Sequence, residues 1–221
     1  MNKNLDLEFL INCYSKGIFP MADDRYSDKI YFYQPKNRGI IPLERVKVSK
    51  SLIRAIKKNY RISSNENFKK VIASCASKRF GRENTWINSQ IYSAFVELNK
   101  NKLVHSIEIW RGRKLIGGVY GLVLGKVFFA ESMFHSETNA SKIALIWLLS
   151  KLKSLKFELF DTQYLNNHTK SLGGIEIENS SFQKLLLKNI NKINYFSEVN
   201  SENSSDWNSL LSFLHEMREI S

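Results

Sequence analysis

LVHSIEIWRGRKLIGGVYGLVLGKVFFAESMF, residues 103–134, decides the fold of this chain. Three apolar, β-prone runs are separated by two short turn sequences, RGRK and GK, so the stretch predicts three consecutive antiparallel strands. The segment that follows, TNASKIALIWLLSKLKSL at 138–155, is apolar almost all round and starts at Thr138 or Asn139, either of which can cap a helix. We therefore expect a helix buried against the sheet, followed by the short apolar strand FELFD at 157–161.

Shorter elements flank this core. Apolar spacing and capping residues predict an N-terminal helix over 5–16, a proline-broken β-prone stretch over 30–42, a helix that starts at Ser49 or Ser51, helices over 66–79, 88–100 and 165–171, a strand near 175–178 and a helix from 181. The 28 residues from 194 onward look peripheral. Antiparallel strands, then a buried helix, then another strand follow the order of an α+β acyltransferase sheet.

Composition excludes several classes of protein. With 221 residues, 43% of them hydrophobic and 12% aromatic, the chain is neither disordered nor a disulfide-stapled miniature. No apolar run reaches the roughly 18 residues of a membrane span, and MNKNLDLEFL lacks the layout of a signal peptide. Two cysteines, Cys13 and Cys75, are too few for a thiolate metal cage. We expect a soluble cytoplasmic protein with buried, reduced thiols and no membrane partner.

The net charge of +12 is concentrated in one segment. Residues 36–82 hold 14 Lys or Arg against Glu44 and Glu66, so this window accounts for the whole excess. Within it, a helix starting at Ser49 or Ser51 would place four basic residues on one arc, opposite three apolar ones: Lys50, Arg54, Lys57 and Lys58 against Leu52, Ala55 and Ile56. Such a face is either simply solvated or binds phosphates. The concentration of charge favours a nucleic-acid partner.

Several motifs resemble one protein family. In order along the chain they are YSKGIFPMAD (14–23), FYQPKNRGIIP (32–42), TWIN (85–88), HSIEIW (105–110), LIGGVYGLVLGKVFFAESMF (115–134), NASKIAL (139–145) and DTQYLNNHTKSLGG (161–174). Together they resemble the leucyl/phenylalanyl-tRNA–protein transferases over about residues 5 to 190. The resemblance implies an α+β protein with a small N-terminal α/β domain at 1–48. A GNAT-type acyltransferase-like domain with a mainly antiparallel sheet would occupy 49–221.

The resemblance also implies an activity. Such an enzyme moves Leu or Phe, with tolerance of Met, from aminoacyl-tRNA to the N-terminal Arg or Lys of a protein, and the product is an N-degron. The aminoacyl ester is already activated, so amine attack needs no ATP, metal, cofactor or covalent intermediate. The sequence agrees, because GxxxxGK[ST], HExxH, GxSxG and CxxC are all absent. We expect a monomer whose partners are charged tRNA and protein N-termini.

Three residues are candidates for the chemistry, which needs a proton acceptor and donors for the developing oxyanion. Asp161 ends an apolar strand, where partial desolvation at a sheet edge would raise its basicity. Gln163 could orient that carboxylate or bind the carbonyl, and the resemblance makes Asp161 and Gln163 the catalytic pair. Glu131 follows apolar strand residues and could face a cationic acceptor or make a structural hydrogen bond.

Apolar and aromatic residues are candidates for the donor site. By resemblance Val119, Phe128 and Leu145 occupy pocket positions, although each also suits a plain core, and Gly118 and Met133 lie beside them in sequence. Two aromatics could stack on the 3′-terminal adenosine: Trp86, which could equally anchor a helix, and Tyr33, where the family usually shows Trp.

Two other functions stay open. A coenzyme A-dependent N-acyltransferase could use the same kind of sheet, but such enzymes carry an [RQ]-x-x-G-x-[GA] loop that SETNASKIA lacks. A non-catalytic tRNA-binding module is the second, and it would leave the Asp161 and Gln163 motif without a role.

Overall fold

The chain is described by a computed structural model covering residues 5–58, 60–77 and 84–219. The helices of that part are α1 (Leu7–Ser15), α2 (Lys50–Ile56), α3 (Phe68–Cys75), α4 (Ser89–Lys100), α5 (Ala140–Ser154), α6 (Asn167–Ser171), α7 (Asn179–Asn189) and α8 (Ser204–Glu219). The strands are β1 (Phe19–Ala22), β2 (Ile30–Tyr33), β3 (Asn37–Ile40), β4 (Arg61–Ser64), β5 (Val104–Arg111), β6 (Lys114–Leu124), β7 (Val127–His135), β8 (Leu159–Gln163) and β9 (Ile175–Glu178).

A seven-stranded mixed sheet organises the molecule, in the order β4-β5-β6-β7-β8-β3-β9. The predicted meander is confirmed: β5, β6 and β7 pair antiparallel along their lengths. The chain then crosses through α5, so β8 pairs parallel to β7. The remaining pairs of the sheet are antiparallel.

Helices cover both faces of the sheet. On one face lies α5, with 11 of its 15 residues buried as its all-round apolar sequence predicts, together with residues of α2 and α8. On the other face, residues of α1, α3, α4 and α7 form a second apolar cluster. The sheet is therefore the middle of three layers, and its interior strands are shielded from water on both sides.

Three elements, β1, β4 and α8, were not predicted. The C-terminal residues are not peripheral, because α8 buries Leu210, Phe213 and Met217 in the same cluster as α5. The edge strand β4 has the polar sequence RISS, and its buried Ser64 hydroxyl accepts a hydrogen bond from the Val199 N–H at 2.7 Å. Polar residues satisfied by distant backbone do not produce a strand-like apolar pattern.

The first 48 residues contribute to both sheets. The strands β1 and β2 form a separate two-stranded sheet, whereas β3 lies between β8 and β9 in the large one. The boundary between residues 48 and 49 stays a prediction. Of the helix expected over 66–79, positions 78 and 79 lie outside the described residues.

The cysteines and the apolar helices are the remaining features on which the sequence made an expectation. Both cysteines, Cys13 and Cys75, are buried and free of disulfides, as predicted. Among the helices described, none is long and apolar enough to cross a bilayer.

Candidate active site

A β-bulge places Glu131. Opposite Tyr120 and Gly121 of β6 stand Ser132 and Ala130 of β7, so Glu131 is an extra residue without a partner in the ladder. The bulge shifts the alternation of β7, because Ala130 and Met133 pack on the same face although they are three residues apart. A Cβ on Gly121 would lie 2.3 Å from the Phe129 carbonyl oxygen, so a glycine is required opposite the bulge.

The Glu131 carboxyl is buried, and only one of its two oxygens has hydrogen-bond partners among the described residues. Its Oε1 accepts hydrogen bonds from the Tyr14 hydroxyl at 2.7 Å and the Gln163 side-chain amide at 2.9 Å. Its Oε2 is buried without a hydrogen-bond partner among the described residues. Burial raises the pKa of Glu131 to about 8, although the two donated bonds act in the opposite direction. This carboxyl can therefore gain or lose a proton near neutral pH.

Arg38 and Asp161 form a buried ion pair beside Glu131. The guanidinium donates from Nε to Oδ1 at 2.8 Å and from Nη2 to Oδ2 at 2.6 Å, and both side chains are fully buried. The Arg38 Nη1 donates to the Gly17 carbonyl oxygen at 2.8 Å. The rings of Phe19 and Phe182 contact the guanidinium carbon, with centroids at 4.7 and 4.6 Å. The arginine thus links β3 to α7, β8 and the segment after α1.

Asp161 also shapes the end of β8. Its Oδ1 accepts the Gln163 backbone N–H at 2.8 Å, and Gln163 has a left-handed backbone with φ of +63°. A non-glycine residue in that region is uncommon and is held by its surroundings, here by this bond and the bond to Glu131. The Asp161 carboxylate faces Arg38, is fully buried and does not line the cavity, whereas the sequence predicted a partly desolvated carboxylate at a sheet edge.

A narrow cavity of about 70 Å³ adjoins Glu131. Three of the predicted pocket residues line it, namely Val119, Met133 and Leu145. It is also lined by Phe160, Thr162, Asn166 and Thr169, which the sequence did not indicate. The Thr162 Oγ1 is buried without a hydrogen-bond partner among the described residues. One unpartnered carboxyl oxygen and one unpartnered hydroxyl therefore belong to residues that line the same cavity.

The other two predicted pocket residues do not line this cavity. Phe128 lies behind Phe160, with parallel rings whose centroids are 5.6 Å apart. A Cβ on Gly118 would instead approach Phe134 and Val71, on the opposite face of the sheet.

The two candidate stacking residues lie away from the cavity lining. Tyr33 is 38% exposed and stacks on Phe19, the ring that covers Arg38. Trp86 is half-buried, and its carbonyl oxygen accepts the Ala22 N–H at 3.1 Å, which joins it to the small sheet.

The basic helix has the predicted form. Ser49 caps α2 by accepting the Leu52 N–H. The apolar residues Leu52, Ala55 and Ile56 are buried, whereas Lys50, Arg54, Lys57 and Lys58 are exposed. Arg38 is withdrawn from the surface charge by its pairing with Asp161. Lys78, Arg79 and Arg82 of the basic window lie outside the described residues.

Tyr14 and Arg38 are site residues that sequence reasoning missed. Both stand within quoted motifs, YSKGIFPMAD and FYQPKNRGIIP, which is the only signal that could have found them. Their partners lie 117 and 123 residues away, so no local pattern connects them.

Comparison with known proteins decides the family. A leucyl/phenylalanyl-tRNA protein transferase model matches residues 40–187, and the N-terminal domain model of the same family matches 3–36. The chain belongs to the leucyl/phenylalanyl-tRNA–protein transferase family. It is accordingly an aminoacyltransferase.

Individual relatives carry the family name. A leucyl/phenylalanyl-tRNA–protein transferase of Rhizorhabdus wittichii is 43% identical over 83% of this chain and 75% of its own length. The Zymomonas mobilis protein of that name is 38% identical over 95% and 77% of the two chains. The solved structure of L-PGS from Bacillus licheniformis aligns with a TM-score of 0.43 at 12% identity, covering 94% of this chain and 76% of that one.

Proposed function

We propose that this transferase moves Leu or Phe, with tolerance of Met, from aminoacyl-tRNA to the N-terminal Arg or Lys of a protein. The observation that carries the chemistry is the buried carboxyl of Glu131, a residue that lines the narrow cavity and has one oxygen without a hydrogen-bond partner among the described residues. The product carries a new N-terminal residue that marks it as an N-degron in the cytoplasm, where charged tRNA is found.

Glu131 is the proton acceptor in this proposal. A protein α-amino group has a pKa of about 7.7–8.0, close to the value of about 8 that burial gives Glu131, so proton transfer between them is nearly balanced. The nitrogen lone pair released in this way attacks the ester carbonyl carbon, the attached nitrogen then gives up one of its two remaining protons, and the tRNA ribose oxygen leaves with that proton as a hydroxyl. The positive charge of an incoming N-terminal Arg or Lys would stabilise the Glu131 carboxylate.

Thr162 and Gln163 complete the chemistry. Thr162 lines the cavity, and its hydroxyl, which has no hydrogen-bond partner among the described residues, can donate a hydrogen bond to the developing oxyanion. Gln163 holds Glu131, while Asp161 and Arg38 fix the backbone turn from which Gln163 projects. Asp161 is therefore a positioning residue, and the role of base predicted for it passes to Glu131.

The cavity is the proposed pocket for the donor side chain. The cavity, of about 70 Å³, is partly open to solvent and is lined by the apolar residues Val119, Leu145 and Phe160 together with Met133. Met133 is unbranched and can change conformation at low cost, which suits a pocket that accepts both Leu and Phe.

The tRNA is held outside this pocket. We assign the 3′-terminal adenosine to Trp86 and Tyr33, and the phosphates to Lys50, Arg54, Lys57 and Lys58. The exposure of these four basic side chains and of the Tyr33 ring supports the assignment.

The domain proposal follows the family. A small N-terminal domain at 1–48 is supported by the N-terminal family match, and a GNAT-type acyltransferase-like domain at 49–221 by the meander that leads into the buried α5. We expect the enzyme to act as a monomer, which sedimentation would test.

A transfer assay tests the function. Purified protein should move labelled Leu or Phe from charged tRNA to a peptide that begins with Arg or Lys, without ATP, and should not use a matched peptide that begins with Glu. Absence of transfer with both donors, together with acetylation from acetyl-coenzyme A, would refute the proposal in favour of the acyltransferase alternative.

A further inference from the structure

A groove of about 550 Å³ lies beyond the C-terminal end of α2, outside the site described above. Lys57, Lys58 and Arg61 line it, and its C-terminal side is formed by Ser201 and Trp207 from the last part of the chain. Its size falls within the ~300–1,000 Å³ of ordinary ligand pockets. Three strand spacings separate β4 from β7, so the groove lies roughly 14 Å or more across the sheet from Glu131.

The C-terminal side of the groove is held firmly. Ile62 and Ser201 exchange hydrogen bonds, with the Ser201 N–H donating to the Ile62 carbonyl and the Ile62 N–H to the Ser201 hydroxyl. Lys151 of α5 forms an ion pair with Asp206 at 2.8 Å, and both side chains are at most 14% exposed. A site on such a framework loses little conformational freedom when a ligand binds.

An indole ring is available in the groove. Trp207 is half-buried and packs against the buried Trp147, with ring centroids 5.6 Å apart. The same Trp207 lines the groove, as does Tyr60. Aromatic rings of this kind stack on nucleobases of any type, since every base has a π-face.

Positive charge lies next to the ring. Lys57 and Lys58 are exposed, and neither has an ion-pair partner in the part of the chain that the structure describes. Arg61 is already paired with Glu66, and Glu202 also lines the groove, so the two lysines supply its available cations. They continue the basic face of α2 directly into the groove.

We propose that this groove holds one unpaired nucleotide of the donor tRNA, with its base against Trp207 and its adjoining phosphates on Lys57 and Lys58. Aromatic rings beside unpaired cations are the combination that binds single-stranded RNA, whereas an acidic peptide would use the lysines alone. The distance from Glu131 makes this a nucleotide other than the aminoacylated adenosine. The inference rests on the proposed function, because it takes tRNA as the donor.

Binding of uncharged tRNA to Trp207 variants tests the inference. Trp207→Leu keeps an apolar contact to Trp147 but removes the ring, and should weaken tRNA binding roughly 5- to 150-fold without changing its salt dependence, because stacking releases no counterions. Trp207→Phe keeps an aromatic ring and should lose less tRNA affinity than Trp207→Leu. Asn208→Ala, an exposed neighbour on α8 outside the groove lining, is the matched control and should bind like the wild type. Thermal unfolding of each variant confirms that it is folded.

The outcomes separate the two proposals. If the wild type binds no tRNA, the proposed function fails. If the wild type binds tRNA and folded Trp207→Leu and Trp207→Phe bind it equally well, only the groove inference is overturned. If Trp207→Leu weakens binding to a blunt RNA duplex as much as it weakens binding to tRNA, the inference is also overturned, because a duplex offers no unpaired base. Polyglutamate binding that is lost in a Lys57→Ala with Lys58→Ala variant, while the same variant binds tRNA like the wild type, would reassign the groove to acidic peptides and overturn it as well.

Discussion

Glu131 and the amino group of an incoming protein titrate over the same pH range, and this match can be tested at the level of one residue. Glu131→Gln keeps the shape of the side chain but cannot accept a proton. We expect turnover to fall by roughly 10²- to 10⁴-fold. The wild-type rate should rise with pH up to about 8, and the variant should lose the part of this rise that is due to Glu131.

The comparison of pH profiles also decides between the two carboxyls. An Asp161→Asn variant that keeps the rise in rate toward pH 8 would agree with Glu131 as the base. A full-rate Glu131→Gln variant would contradict that assignment and return the role to Asp161.

The same carboxyl links stability to pH. The folded pKa of Glu131, about 8, lies above the ordinary value of 4.5, so between these values the folded protein holds a proton that the unfolded chain releases. Its contribution to the free energy of unfolding must therefore decline as pH rises from about 5 to about 8. Glu131→Gln should remove this decline, and denaturant unfolding of both proteins at pH 5 and pH 8 would measure it. An identical pH dependence in the two proteins would contradict the raised pKa.

Breaking the ion pair tests the positioning role of Asp161. Asp161→Asn leaves the buried Arg38 charge without its partner, which should lower the free energy of unfolding by roughly 3–5 kcal/mol. Turnover should fall by about 10²-fold through displacement of Gln163, while tRNA affinity stays close to wild type.

An apolar double variant separates the two effects of that ion pair. Arg38→Met with Asp161→Leu removes both charges and should recover much of the stability but none of the turnover. Recovery of turnover would contradict the positioning role.

At the scale of elements, α2 separates an apolar face from a cationic one. Reversing Arg54 and Lys58 to Glu should weaken tRNA binding and reduce the slope of log affinity against log salt by about two phosphate contacts. Lys184→Glu with Lys188→Glu on α7 changes the net charge equally on exposed positions and serves as the matched control. Equal effects of the two double variants would show that only net charge matters.

The elements also show why the cavity lies where it does. The meander and α5 bring Val119 and Leu145 together, but the bulge at Glu131 is what turns Met133 to the same side. A regular strand would have placed Ser132 on that face instead. One extra residue in β7 therefore supplies both the carboxyl and one wall of the cavity.

At the scale of the whole molecule, the site joins the N-terminal segment to the sheet. The Tyr14 hydroxyl of α1 donates a hydrogen bond to Glu131. This bond lowers the pKa of Glu131, whereas burial raises it. Tyr14→Phe should therefore move the midpoint of the pH–rate profile to higher pH. Tyr92→Phe, which removes a hydroxyl at an exposed, long contact on α4, should leave the midpoint in place. An unshifted Tyr14→Phe profile would contradict this link between the two parts of the chain.

Sequence alone determined the meander β5–β7, the buried α5, the amphipathic α2 and the family, because period-two and period-3.6 patterns and turn residues report local burial. It also pointed to Val119, Met133 and Leu145. Tertiary structure alone decided that Arg38 engages both Asp161 oxygens, that Tyr14 and Gln163 hold Glu131, and that β4 and α8 complete the layers. Those contacts join residues far apart in the chain, and packing of the whole molecule selects them without leaving a periodic trace in the sequence.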